Sequence, residues 1–262
     1  MYEFHKDKRA YFHQQTENAT AYVIPFVRQW VNVGAGTVVL EVGCAEAGVL
    51  KAFLNEGCQG VGVELSPSRA AMANEFLSDD IKNGKAEIIS ANIYDESFRT
   101  RFEGRFDLIV LKDVIEHIHD QQRIIVALKH YLKPNGKIFF GFPPWQMPFG
   151  GHQQVCRNKW LAKLPYYHLL PSALYRGLLR LGGESESLIV ELEEVKETGI
   201  SIERFERYVK EAGLKIFGKT YYLVNPIYRY KFGLKPRRQN ALVAAVPYVR
   251  NFFTTCMYYV VG

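Results

Sequence analysis

"EVGCAEAG" (41–48) lies between the apolar run "TVVL" (37–40) and "VLKAFLNEG" (49–57). A strand, a glycine-bearing loop and a helix in that order form a cradle for a nucleotide-like ligand, because the loop amides and the helix N-terminus face it. The spacing is Gly43-x-Ala45-x-x-Gly48. A dinucleotide loop uses its second glycine to let the pyrophosphate approach the backbone. Here Ala45 places a methyl group at that point and Glu46 places a carboxylate beside it. Two like charges within ~4 Å repel by several kcal/mol at intermediate dielectric. The loop therefore disfavours a diphosphate and tolerates a cation.

Outward from the loop, strand and helix patterns alternate. "GVGVEL" (60–65) reads as a second strand, and Ser66-Pro67 supplies a cap and first-turn proline for "SRAAMANEFL" (68–77). "AEIISAN" (86–92), "RFDLIVLKD" (105–113) and "KIFFGF" (137–142) read as strands three to five, with a helix over 121–132 and a turn at Pro134-Asn135-Gly136. This rhythm predicts β-α units and a parallel sheet, apolar on both faces because helices cover both. Upstream, Tyr11, Ala19, Tyr22, Val23, Phe26, Val27 and Trp30 recur near a 3.6 period, predicting a helix over 10–33 kinked at Pro25. Downstream, "PPWQMPFGGHQQ" (143–154) interrupts all regularity, and "WLAKLPYYHLLPSALYRGLLRLGG" (160–183) reads as an insertion or lid. "SIERFERYVKEAG" (201–213) is a helix capped by Ser201 and stopped by Gly213. "LKIFGKTYYLV" (214–224) and "FFTTCMYYVV" (252–261) read as the last strands. The expected organisation is a helical lead-in over 1–36, then one domain over 37–262 with an insertion at about 143–195.

Composition bounds the function. Of 262 residues, 48% are hydrophobic and 23% charged, the balance of a folded domain with a sizeable core. The net charge of +6 permits an anionic partner but selects none. It is spread between a basic stretch, "YRYKFGLKPRR" (228–238), and an acidic one, "ELEEVKE" (191–197). Cys44, Cys58, Cys156 and Cys256 show neither C-x-x-C pairing nor zinc spacing, so a reduced, cytoplasmic protein without a metal is expected. "MYEFHKDKRAYFHQQ" (1–15) has no apolar core of a signal peptide. The most apolar stretch (241–262) is broken by Pro247, Arg250 and Asn251, so no stable membrane insertion is expected.

Open α/β sheets bind ligands at the carboxyl ends of their strands, which brings several polar residues to one crevice. Glu64 ends strand two, about 20 residues beyond Gly43, where a carboxylate accepts from ribose hydroxyls. Asn92 and Ile93 follow strand three, suiting an adenine edge and face, and "LKDVIEHI" (111–118) follows strand four. A ligand with a ribose and adenine, no phosphate, and a sulfonium and ammonium near the loop carboxylates is S-adenosylmethionine.

"VVLEVGCAEAG", "GVGVELSP", "SAN", "FDLIVLKDVIEHI" and "LKPNGKIFFGFPPW" occur in order. Together they resemble the class I S-adenosylmethionine-dependent methyltransferases, of the small-molecule type that includes the ubiquinone-biosynthesis enzymes. The resemblance covers roughly 37–145 and suits 201–261. It implies a Rossmann-like doubly wound α/β sheet of seven mostly parallel strands, the last antiparallel. It also implies that Glu41, Gly43 and the backbone of Cys44 and Ala45 contact the methionine part. Glu64 would bind the ribose, Leu65, Asn92 and Ile93 the adenine, and the Lys112 carbonyl the ammonium. His117 would either touch the cofactor or cap its own turn. Ala45 and Ala47 depart from the family's usual glycines, and Asn92 from its more common aspartate.

The acceptor is addressed by "FGGHQQ" (149–154), since paired glycines let a loop approach a ligand closely. His152 has two readings: a base that takes a proton from an acceptor hydroxyl, or a hydrogen-bonded loop histidine. Trp145 and Gln153 join it as substrate-contact candidates. The aromatics of 160–182 suit a substrate lid, the core of the insertion or a dimer surface. The reading is methyl transfer, as O-methylation, to a small-molecule acceptor by a monomer or homodimer. A nucleic-acid methyltransferase is the rival reading, but no RNA-binding module is visible, and "FPPW" (142–145) follows strand five rather than strand four. A non-catalytic cofactor-binding protein and a nucleotide-dependent oxidoreductase are the remaining alternatives, the latter opposed by Ala45 and Glu46.

Overall fold

The computed structural model describes residues 7–262; the opening six residues, part of the stretch read for targeting, lie outside it. Helix α1 (Lys8–Asn18) starts at Asp7, whose carboxylate accepts from the Ala10 amide at 2.9 Å. A π-turn over Ala19–Val23 follows, then the short α2 (Ile24–Val27). The expected run to residue 33 therefore ends at Val27. The chain adjusts by the wide turn before Pro25, with the Ile24 amide donating to the Ala19 carbonyl, instead of kinking at the proline.

The β-α units then follow, with α5 and α6 additional to the expected helices: β1 (Val38–Val42), α3 (Gly48–Asn55), β2 (Gln59–Glu64), α4 (Pro67–Phe76), α5 (Ser78–Lys82), β3 (Ala86–Ser90), α6 (Glu96–Phe102), β4 (Phe106–Lys112), α7 (Gln121–Leu128) and β5 (Leu132–Phe142). Pro134-Asn135-Gly136 does not separate a helix from a strand. It bulges out of β5, whose pairing with β4 jumps from Phe106↔Leu132 to Leu108↔Lys137. Asn135 takes the left-handed conformation at φ 66° that such a bulge requires.

The stretch expected as an insertion holds α8 (Ser172–Leu181) and the start of α9 (Glu186–Thr198), which runs past its expected end at about 195. Then come α10 (Ile202–Glu211), β6 (Ile216–Val224), α11 (Tyr228–Phe232), β7 (Arg237–Arg238), α12 (Ala241–Ala244), α13 (Val249–Phe253) and β8 (Cys256–Val261). The final strand is thus shorter than the expected 252–261, because Phe252 and Phe253 belong to α13. Among the described residues the sheet has eight strands, not seven, in the order β3-β2-β1-β4-β5-β8-β6-β7. The additional one is the two-residue β7 at the edge. Strands β1 to β5 are parallel, and β8 enters antiparallel between β5 and β6.

Alternate residues feed the two faces of the sheet. Val39, Val110, Phe139 and Tyr258 pack with Phe26 and Phe53 on one side. Leu40, Ile109, Phe140 and Tyr259 pack with Ile125 and Phe205 on the other. A third core binds the insertion together through Leu161, Tyr167, Tyr175, Leu179, Ile189 and Leu192. The insertion's aromatics therefore divide: Tyr167 and Tyr175 are core, while Trp160 is 87% exposed. The strand order reverses between β1 and β4, and the site opens there.

Candidate active site

A crevice of about 490 Å³ opens at the carboxyl ends of β1, β2, β3 and β4. The β1–α3 loop forms its floor. The Gly43 and Cys44 amides both donate to the Val63 carbonyl, at 2.8 and 3.2 Å, tying the loop to β2. Gly43 has φ +65° and a Cβ there would lie 2.9 Å from Val114, so no side chain fits. Ala45 and Ala47 hold the same left-handed conformation, at φ 52° and 61°. Left-handed backbone costs an L-residue roughly 1–2 kcal/mol, partly offset in glycine by its unfolded-state entropy. Ala47→Gly is accordingly expected to stabilise the chain by about 0.5–1 kcal/mol in urea denaturation; a destabilised variant would show that this strain is absent.

Glu64, at the end of β2, is 7% exposed. Its Oε2 accepts from the Ala45 amide and its Oε1 from the Ser66 amide, each at 2.9 Å. Both oxygens are thus fixed, and each keeps lone-pair capacity on the crevice side. Glu41, behind the loop, accepts from the Leu50 amide through Oε2 at 2.8 Å. Burial pushes its carboxyl up to about 8. The raised value means the folded state holds a proton that the unfolded state has released. Stability from this group is full below the ordinary 4.5 and is lost as pH rises toward about 8. The loss is at most about 1.4 kcal/mol per pH unit. Denaturation curves of the ligand-free protein across that window should show this slope, and Glu41→Gln should flatten it.

At the end of β4, burial alone would discharge Lys112, but Asp113 at 2.5 Å holds its ammonium well above the usual lysine range. Asp113 is left-handed at φ 57° and its amide donates to the Gly141 carbonyl at 2.7 Å. The far end of the crevice is apolar, lined by Leu65, Ala91, Ile93, Ile118 and Ile124. Asn92 stands beside it, with its Oδ1 taken by the Tyr94 amide at 3.0 Å, which leaves its NH2 as the donor.

Thus Glu41, Gly43, Cys44, Ala45, Glu64, Leu65, Asn92, Ile93, Lys112 and His117 all line this one crevice. Among the wall residues that were not foreseen are Tyr11 and Gln15 of α1, and Asp113 individually. Tyr11 and Gln15 stand four apart on one helix face and are joined by a 2.6 Å hydrogen bond. Helix α1 lies across the crevice because Gly48 lets it: a Cβ there would sit 2.6 Å from the Phe12 carbonyl. Glu46 turns to this helix. Burial would raise its pKa, but Lys8 at 2.9 Å and Arg69 at 3.5 Å hold it below the ordinary carboxylate range. Its charge is therefore matched within the chain, and it is a strap between α1 and α4.

His152, Trp145 and Gln153 are not on that wall. A second, smaller cavity of about 200 Å³ is lined by His117, His152, Val155, Leu192, Val195 and Thr198, with Glu191 and Glu194. His117 borders both cavities. Burial pushes His117 below its ordinary pKa, keeping the imidazole neutral. The His117 and His152 ring centres are 5.0 Å apart. His152 sits left-handed at φ 56°.

Trp145 and Gln153 build the loop that carries His152. Gln153 is fully buried and its Nε2 donates to the Pro148 carbonyl at 3.0 Å. His168 Nε2 lies 2.8 Å from the Trp145 carbonyl, which can only accept, so His168 Nδ1 receives the Gln153 amide at 3.3 Å. Burial lowers His168 to about 4, consistent with this neutral tautomer. A Cβ on Gly151 would lie 2.4 Å from His168, and one on Gly150 1.9 Å from the Trp145 carbonyl. Gly151→Ala is expected to destabilise the chain by about 1–3 kcal/mol through overpacking while leaving the distant β1–α3 loop intact. Urea denaturation checks this, and an unchanged midpoint would contradict the packing.

Residues 11–170 match a family model described as a methyltransferase domain. The chain is 29% identical over 119 residues to a protein of Thiobacillus denitrificans named ubiquinone biosynthesis O-methyltransferase, covering 44% of this chain and 50% of that one. A protein of the same name from Coxiella burnetii is 29% identical over 117 residues, 45% of this chain and 47% of its own length. The chain thus spans about half the length of the curated relatives it matches. Among solved structures, geranyl diphosphate C-methyltransferase from Streptomyces coelicolor A3(2) aligns with a TM-score of 0.57 at 13% identity, covering 92% of this chain and 78% of that one. A putative sarcosine dimethylglycine methyltransferase from Galdieria sulphuraria aligns with a TM-score of 0.59 at 10% identity, covering 92% and 84%. At these identities the likeness is one of fold.

Proposed function

The chain belongs to the methyltransferase-domain family, and from that premise we propose that it is an S-adenosylmethionine-dependent enzyme that O-methylates a small-molecule acceptor. The observation that carries the reading is the carboxylate of Glu64, fixed by two backbone amides at the end of β2 within the crevice. Its oxygens suit a pair of ribose hydroxyls and repel a phosphate there. Asn92 offers an amide donor and Leu65, Ile93 and Ile118 an apolar slot for an adenine. The Glu41 carboxyl and the Asp113 carboxylate line the same crevice and offer acceptor oxygens to an ammonium. Gly43 keeps the backbone open where a Cβ would close it.

When bound, this cofactor supplies an electrophilic methyl group on a positively charged sulfur. The chain's own residues position, desolvate and manage one proton. Helix α1 covers the crevice and excludes water. The second cavity suits the acceptor, because His117 joins it to the first, and the acceptor hydroxyl gives up its proton beside the His117–His152 pair. The names of the curated relatives support oxygen as the atom methylated.

Calorimetric titration with S-adenosylhomocysteine and, separately, NAD tests the cofactor reading. Micromolar binding of the former and none of the latter is expected; the reverse pattern overturns it. Salt-sensitive RNA binding would favour a nucleic-acid acceptor instead.

A further inference from the structure

The cysteines offer no metal-ligand pattern, but the histidines of the second cavity do. Glu116, His117 and His152 each present a ligand atom, and these atoms all lie within 4.8 Å of one another. They come from distant segments: Glu116 and His117 from the turn after β4, His152 from the glycine loop after β5. Glu116 is 5% exposed, and its Oε2 is buried without a hydrogen-bond partner among the described residues. A buried carboxyl oxygen with no donor is destabilising, and a ligand there would relieve it.

The surroundings hold these groups in place. The Thr198 hydroxyl donates to the Glu116 carbonyl at 2.6 Å, and Gln121 Nε2 donates to the Ile115 carbonyl at 3.3 Å. His152 sits in strained left-handed backbone, on a loop that Gly150 and Gly151 lock against Trp145 and His168. Strain of this kind persists where the surroundings impose it, and it clusters at functional sites.

We propose that Glu116, His117 and His152 bind a divalent first-row cation, with open positions facing the second cavity. Two imidazoles and one carboxylate favour Zn²⁺, Mn²⁺ or Fe²⁺ over Mg²⁺ and Ca²⁺. Metal–ligand bonds of ~2.1 Å place tetrahedral ligands ~3.4 Å apart, so small side-chain rotations close the present spread. Three protein ligands leave at least one position, as in catalytic sites. An acceptor hydroxyl entering that position loses its proton more readily. The O–H bond breaks, its electron pair stays on oxygen, and the proton passes to solvent. On this account His152 is a ligand and not the base. The role in the reaction rests on the methyltransferase reading above, whereas metal binding itself does not.

The test is equilibrium dialysis of the full chain against Zn²⁺ or Mn²⁺ with elemental analysis of the bound metal. One ion per chain is expected. His152→Ala and Glu116→Gln should each weaken binding at least tenfold, and His119→Ala, at the exposed pair with Glu194, should not. S-adenosylhomocysteine affinity, unchanged in the His152 and Glu116 variants, serves as the folding control, and His152→Gln replaces His152→Ala if that variant misfolds. Absence of stoichiometric binding, or binding indifferent to His152 and Glu116, overturns the proposal while leaving cofactor binding intact. Loss of S-adenosylhomocysteine binding in the wild type would instead sink the reading of the first crevice.

Discussion

Glu64→Gln leaves the chain folded but weakens S-adenosylhomocysteine binding by about 100-fold. The carboxylate now accepts from Ala45 N–H on one oxygen and Ser66 N–H on the other. Both bonds involve an ionised acceptor, and such bonds contribute about 1.5–3 kcal/mol each. A glutamine has one acceptor oxygen, so it satisfies one of the two amides and turns an NH2 toward the other. The second amide is then free to turn with its loop, and the charge that would receive two hydroxyl protons is gone. Losing two hydroxyl bonds of ~1.4 kcal/mol each gives the stated factor. Calorimetric titration measures it, with the urea midpoint as a control for folding. Affinity within threefold of wild type would mean that Glu64 does not hold the ribose.

Asp113→Asn produces the largest stability loss, about 3 kcal/mol or more at pH 7. The Lys112 side chain is 1% exposed and its ammonium is matched by Asp113 at 2.5 Å. Asparagine keeps the size of the side chain and tolerates the left-handed backbone at this position. It removes only the charge, which leaves an ammonium in the interior. Burial then dominates and drives the Lys112 pKa below its unfolded value. The sign follows from proton counting: the folded variant binds fewer protons than the unfolded chain, so its stability rises with pH. In the wild type the Lys112 pKa is raised, so this contribution is full at neutral pH and is lost only above the ordinary lysine range. Denaturation at pH 7 and pH 9.5 should therefore show partial recovery in the variant alone, and Lys112→Met added to it should restore stability at pH 7. A variant within 1 kcal/mol of wild type at both pH values would refute this account.

The parallel half of the sheet was legible because each strand announces itself as an apolar run bounded by turn residues, and Glu64 and Asn92 fall at strand ends by spacing alone. Helix α9 was hidden by its composition. "ELEEVKE" reads as a solvated acidic stretch, yet Ile189, Leu192 and Val195 recur along one buried face. The same happened at Glu46, read as a charge facing the ligand. Its partners Lys8 and Arg69 come from other elements, and no local pattern discloses them. Tyr11 and Gln15 were visible as helix residues, but their place over the crevice depends on a contact with Gly48 across the chain. Trp145 and Gln153 fell beside a promising histidine and were read with it. Their side chains pack beneath the loop, a placement that depends on which way the loop turns. At β7 two arginines form an edge strand too short to leave any periodic signal.

Strand β8 separates β5 from β6, so β6 meets no other strand of the sheet except through β8 and the short β7. During synthesis β1 to β5 can pair as they emerge, each beside a strand already present. Strand β6 cannot, because its neighbour toward the sheet's centre is made later. Until residues 256–261 arrive, β5 exposes an unpaired edge, and β6 waits with α10 beside it. Unpaired edges of this kind invite association between nascent chains. The final closure joins segments far apart in sequence and is expected to be slow. A chain stalled before β8 should thus hold a paired β3-β2-β1-β4-β5 half, while β6 remains open to hydrogen exchange.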